Sequence, residues 1–121
     1  MSGFLFDPTI AGVHRVLDLR QQQHALTASN IANEQTPGYK AQFLDFSSAL
    51  QEAMTAPSDA GPVNAEIIEM DAPAWSTSGN SVNLEKEHAR LRANAMMYQG
   101  LIQSTSRRLA ILKFAASDGR G

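Results

Sequence analysis

Apolar residues recur at helical spacing in two long stretches, one toward each end of the chain, and lose that rhythm between them. From Pro8 to Asn33 only Gly12 interrupts the run, and Asp7-Pro8 reads as an N-cap followed by proline at the first helical position, so the pattern predicts a helix over 8–33. Its apolar side chains fall on two lines. Ile10, Val13, Leu17, Ala28 and Ile31 make one; Val16, Leu19 and Leu26 make another, about 120° around the axis at 100° per residue. One neighbour cannot cover both.

The C-terminal stretch carries the stronger periodicity. Leu84, His88, Leu91, Ala95, Tyr98, Ile102, Thr105, Leu109, Leu112 and Ala116 alternate steps of four and three, a heptad seam in which His88 and Thr105 alone are polar. Asn83 is placed to cap this helix, Glu85 and Glu87 suit the positive end of its dipole, and Arg107, Arg108 and Lys113 sit toward the other end. Gly119 and Gly121 fall beyond it. A helix of this span is about 50 Å long against the roughly 30 Å of a small domain, so it must project. A weaker apolar line of Ala93, Met97, Leu101, Ile111 and Ala115 lies on the opposite side, and Gly100 in mid-helix costs about 1 kcal/mol against alanine.

Between the helices the signals are short. Residues 45–54 form an amphipathic helix candidate with Asp45 as cap and Phe46, Leu50 and Met54 on one face. Residues 66–70, GluIleIleGluMet, suggest a strand amid Pro57, Pro62 and Pro73, and SerThrSerGlyAsnSer (76–81) supplies turn chemistry before the last helix. The expected organisation is therefore mainly α: an N-terminal helix in 1–33, a hinge, short helix and irregular region in 34–80, and a heptad helix in 81–121. Two such terminal helices suit an antiparallel coiled-coil-like core whose remaining faces are covered by other subunits.

The junction at residues 33–39 is a built hinge. Asn33 can take the left-handed conformation that ends a helix, Thr36 is driven toward extended geometry by the proline after it, and Pro37-Gly38 are the favoured central pair of a type II turn. Tyr39 follows with a flat ring and a hydroxyl, before an extended segment, and Asn30 and Asn33, one helical turn apart, can satisfy backbone groups across an interface.

Composition narrows the function class. The chain has 121 residues, net charge −2, 18% charged residues and no cysteine. A nucleic-acid footprint, disulfides, thiolate metal sites and a cysteine nucleophile are all disfavoured. No run approaches the length of a membrane span, and Asp7-Pro8 breaks the N-terminal apolar stretch too early for a cleavable signal. Charge is uneven: net zero over 1–33, −6 over 34–80 where seven acids face Lys40, and +4 over 81–121. An acidic middle could thus meet the basic helix of a neighbour. His14, His24 and His88 accompany no nucleophile elbow, HisGluXxxXxxHis or phosphate-loop pattern, so catalysis and metal binding are not expected.

SerAsnIleAlaAsn (29–33), followed closely by ThrProGlyTyrLysAla (36–41) after an amphipathic helix, resembles the signature of the flagellar axial proteins, the rod, hook and filament-junction subunits. PheLeuAspPhe (43–46), GlyAsnSerValAsnLeuGluLysGlu (79–87) and TyrGln (98–99) make it most similar to the proximal rod members, over residues 10–54 and 79–116. Glu34-Gln35 and the polar GlnGlnGln at 21–23 depart from the family pattern, and the chain lacks room for the large inserted domain of hook and distal rod proteins.

The resemblance implies a non-enzymatic subunit of the flagellar drive shaft, located in the basal-body rod crossing the periplasm and exported without a cleaved signal. It further implies terminal segments that order on assembly. Partners would be copies of itself, other rod proteins, and adjacent basal-body and export-gate components; no cofactor, small-molecule substrate or nucleic acid is implied. The hinge residues Asn30, Asn33, Thr36, Pro37, Gly38 and Tyr39 and the seam Leu84, Leu91, Ala95, Tyr98, Ile102, Leu109 and Leu112 would carry assembly. Heptads alone are also compatible with a coiled-coil adaptor or chaperone, which should form a discrete oligomer instead of an open one.

Overall fold

A computed structural model describes residues 8–117, so the expected cap at Asp7 and the glycines at 119 and 121 lie outside the described residues. Five elements follow in order: α1 (Pro8–Ala32), β1 (Gln42–Leu44), α2 (Phe46–Thr55), β2 (Ile67–Glu69) and α3 (Leu84–Ala116). The molecule is mainly helical, with a long helix at each end.

α3 starts where its cap places it. Asn83 Oδ1 accepts the backbone N–H of Lys86 at 3.1 Å, relieving one of the unpaired amides of the first turn, with Glu85 and Glu87 beside the dipole's positive end. It runs against α1 in the opposite sense, Asn30 meeting Glu87 near one end and Arg20 meeting Asn94 farther on. α2 closes on α1 through small residues: Ala49 and Ala53 are buried, and a Cβ at Gly12 would stand 3.7 Å from the Ala53 carbonyl. Of the predicted face of α2, Phe46 and Leu50 pack on the core while Met54 is exposed, and Ala49 and Ala53 take the fully buried places; Asp45 precedes the helix but its side chain makes no capping bond.

The extended segment after the hinge becomes β1, which pairs antiparallel with β2 in the register Gln42 with Glu69, Phe43 with Ile68 and Leu44 with Ile67. Pairing over three residues is too short to announce itself by alternation, and only its partner was visible in the sequence pattern. The core is small: Val16, Leu19, Leu44, Ala49, Ala53 and Val63, with Leu26, Phe46, Leu50, Ala65 and Leu101 packed against it. Of the two apolar lines on α1, it takes in Val16 and Leu19, while Ala28 on the other is exposed.

Candidate assembly interface

The hinge closes as its residues dictate. Tyr39 N–H donates to the Thr36 carbonyl at 3.2 Å across Pro37-Gly38, and Gly38 has φ +75°, the positive value that the third position of a type II turn demands. Asn33 ends α1 with its side chain, Nδ2 donating to the Ser29 carbonyl at 2.8 Å while Oδ1 accepts from the Thr36 hydroxyl at 3.1 Å. Pro37 is exposed and bonds nothing through its own nitrogen; it presets the turn.

A second turn locks the first. Asn80 Nδ2 donates to the carbonyls of Asn33 (2.8 Å) and Thr36 (2.7 Å), and Gly38 N–H donates to the Ser78 carbonyl at 2.8 Å. Gly79 also has positive φ (+74°), and a Cβ built on it would lie 3.5 Å from Gly38 Cα, so the two glycine turns rest against each other. Ser81 completes the clasp: its hydroxyl donates to the Met70 carbonyl (2.6 Å) and accepts Ala41 N–H (2.8 Å), tying β1, β2 and the lead-in to α3 together. The sequence showed both turns but not that they meet. The available signal was the glycine-asparagine-serine at 79–81, whose side chains suit capping of backbone groups elsewhere as well as their own turn.

Asn30 is the centre of the helix junction. It is fully buried and satisfied on every side: Nδ2 donates to the Gln42 carbonyl (2.8 Å) and to Glu87 Oε2 (3.1 Å), while Oδ1 accepts Gln42 N–H (2.9 Å) and the Tyr39 hydroxyl (3.3 Å). Glu87, 1% exposed, holds its other oxygen against Arg90 Nη1 at 2.6 Å, and Arg90 lies over the Phe43 ring. One carboxamide thus joins α1, β1 and α3, with a buried carboxylate depending on it.

Farther along, the α1–α3 contact stays polar. Asn94 Nδ2 donates to the Arg20 carbonyl at 2.8 Å, and Arg20 Nη1 donates to Asn94 Oδ1 at 3.4 Å while its guanidinium sits 4.2 Å over Phe46. Loss of hydration there lowers the Arg20 pKa from its ordinary value. The glutamine run is used too: Gln21 Nε2 donates to the Tyr98 hydroxyl at 3.3 Å, and Gln23 Oε1 accepts Leu44 N–H at 3.0 Å. Arg15, also buried, donates to the carbonyls of Ala53 (2.9 Å) and Ala56 (3.1 Å) at the end of α2 and to that of Pro57 (3.3 Å), which also accepts Ala60 N–H.

The heptad seam is therefore rotated from its predicted position. Leu91, Tyr98, Thr105, Leu109 and Leu112 are half-buried, but Leu84, His88, Ala95, Ile102 and Ala116 are exposed, and Glu87, Asn94 and Leu101 take the inward places. Glu87 and Asn94 went unseen because a polar residue cannot be recognised as inward-facing until its partner is known. With the inward face so chosen, Met96, Met97, Ile102, Ile111 and Phe114 are left on the outside, Ile111 at 67% and Phe114 at 59% exposure. Uncovered apolar side chains in such number on one helix mark a surface made for contact.

The histidines do not converge on a site. His14 Nδ1 lies 3.7 Å from Asp18, one turn along α1, and His88 is exposed, not packed in a seam. Among the described residues no group of three His, Cys, Asp or Glu is placed to hold a metal, and no helix is long and apolar enough to cross a membrane.

No family model matches the chain. Curated relatives do. The flagellar basal body rod protein FlgB of Cereibacter sphaeroides is 31% identical over 116 residues, spanning 86% of this chain and 91% of that protein. The protein of the same name from Aeromonas hydrophila is 30% identical, covering 73% of this chain and 77% of its own length, and that of Escherichia coli K12 is 29% identical over 83% and 86%. Matches of this depth run across the hinge, the clasp and both helices, and the chain belongs to the FlgB family of flagellar basal body rod proteins.

Proposed function

We propose that this chain is a structural subunit of the proximal rod of the bacterial flagellar basal body, part of the drive shaft that carries torque from motor to hook, and that it enters the rod through the outward faces of α1 and α3. One observation carries the reading. α3 spends much of its inward face on polar partnerships with α1 and leaves Met96, Met97, Ile102, Ile111 and Phe114 uncovered along about 27 Å of helix. A core of so few branched side chains gives a lone molecule little to offset the entropy of ordering both helices, whereas neighbours supply the missing contacts.

Those neighbours, in this reading, are copies of the same chain, sibling rod proteins, and adjacent basal-body and export-gate components. The subunit reaches the rod as it crosses the periplasm by export without a cleaved signal. A shaft subunit transmits load, and a hinge held by two interlocked turns suits that task because it fixes the angle between α1 and the middle segment.

Deletion of the gene in its host tests the proposal. Basal bodies imaged by cryo-tomography should stop before any rod is visible, and the protein recovered from complemented basal bodies should retain its N-terminal segment. Far-ultraviolet circular dichroism of dilute protein should report far fewer helical residues than the 25 of α1 and 33 of α3. A deletion strain that builds normal rods would end the rod reading. A dilute, cooperatively melting and fully helical monomer would end the account of how it assembles.

A further inference from the structure

Two uncovered surfaces of this chain have opposite charge and cannot meet within one molecule. The first lies on the middle segment. β2 is paired along one edge only, Ile67 and Met70 are exposed, and Trp75 is 82% exposed, an aromatic of the size that anchors interfaces. Glu66 and Glu69 flank them on β2 and its approach; Lys40 is already held by Asp71 at 3.1 Å, and Lys86 at the start of α3 borders the same patch, so the two glutamates outnumber the one remaining base.

The second surface is the distal part of α3. Arg107, Ile111 and Phe114, spaced four and three, form an exposed stripe with Lys113 beside it. Residues 100–116 contain three bases and no acid. An apolar stripe with positive charge and an apolar patch with negative charge are complementary in both respects.

Distance rules out closure within one chain. Met70 and Trp75 line the same cavity as Asn83 and Lys86, at the start of α3, and Ile111 lies about 37 Å farther along the helix at 1.5 Å per residue. We infer that Trp75 and the free edge of β2 in one copy receive the Arg107–Phe114 stripe of a second copy. The contact rests on the reading of the chain as a rod subunit and deepens it. Because it joins two different patches displaced along the helix axis, it is heterologous and generates an open assembly, not a closed dimer.

The absence of cysteine makes the test clean. Ala74→Cys and Ala115→Cys, two exposed alanines beside Trp75 and Phe114, are made in separate preparations, folded with trimethylamine N-oxide and mixed under mild oxidation at low ionic strength. Mixed disulfides should exceed either like pair by roughly tenfold and fall as salt shortens the screening length. Adding Glu66→Lys and Glu69→Lys to the first chain should lower the mixed yield about tenfold, and Arg107→Glu with Lys113→Glu in the second should restore it. Restoration also excludes misfolding as the cause of the loss.

Like pairs as abundant as mixed ones, a yield indifferent to charge reversal, or cross-links in the host only to a sibling rod protein would each overturn the contact. Motility separates this inference from the parent reading. If charge-reversed variants swim like the parent, the contact is lost and the rod subunit stands; if the parent gene itself cannot restore rods to a deletion strain, the rod reading fails first.

Discussion

Replacing Asn30 with alanine removes a side chain that joins α1, β1 and α3 at their junction. Four hydrogen bonds go with it, to the Gln42 carbonyl and N–H, to the Tyr39 hydroxyl and to Glu87. Neutral bonds contribute about 1 kcal/mol each, but the larger effect is on Glu87, left 1% exposed with Arg90 as its remaining side-chain partner. Breaking a buried charged partnership costs about 3–5 kcal/mol, a large part of the roughly 5–15 kcal/mol that stabilises an ordinary domain. The assay is folding driven by trimethylamine N-oxide and followed by circular dichroism, since an excluded osmolyte favours burial without touching these groups. Asn30→Ala should need markedly more osmolyte than the parent. Adding Glu87→Gln to it should recover part of the loss, because an amide is cheaper to strand than a carboxylate, giving a coupling of about 1–3 kcal/mol. An unchanged midpoint for Asn30→Ala, or strict additivity in the double variant, would refute the junction argument.

Three further outcomes follow from single contacts. Gly38→Val should abolish rod assembly while Gly38→Asn keeps much of it: a Cβ there meets nothing within 4 Å, so the cost is the positive φ alone, which asparagine tolerates and a β-branched residue does not; motility on swarm plates reads it. Arg15→Leu should destabilise the folded state by about 2–4 kcal/mol by stranding the carbonyls at the end of α2, with Arg15→Lys intermediate, measured as osmolyte midpoints. Gly100→Ala should raise the helicity of the isolated chain, worth up to about 1 kcal/mol, because nothing in the molecule occupies the space its Cβ would enter; a fall in helicity would mean the position is strained in a way the structure does not show.

What was legible in the sequence was what is decided locally. α3 begins just after its cap Asn83 and runs to Ala116 because a cap, an acidic first turn and a proline-free stretch rich in helix formers say so locally. The type II turn at Pro37-Gly38 is likewise a property of four residues, and its hydrogen bond and positive φ follow. β2 was visible because two isoleucines sit between turn signals, whereas β1 gave only an extended segment after the turn. Rotation of the helices was not legible, because the choice of inward face is made by partners far apart in the chain: Asn30 with Glu87, 57 residues away, and Arg20 with Asn94, 74 away. Periodicity ranks faces by hydrophobicity, and here the face of α3 that meets α1 is turned to one side of the predicted seam, keeping Leu91, Tyr98, Leu109 and Leu112 half-buried and leaving Leu84, Ala95 and Ile102 outside.

That rotation has a physical consequence for the family role. If α1 and α3 met along Leu84, Ala95 and Ile102, each molecule would bury its best apolar surface alone and would have less to gain from a neighbour. By meeting through Glu87, Asn94 and Tyr98 instead, the two helices fix their register with directional bonds that tolerate no slip of a residue, while the non-directional hydrophobic contribution stays available outside. Polar pairs of this kind add little net stability, since desolvation offsets most of their attraction. They define a shape and leave the free energy of burial to assembly. The same logic explains the clasp: Asn80 and Ser81 hold the hinge by bonds to backbone atoms, which any exact neighbour geometry can rely on, and require no apolar area to do so.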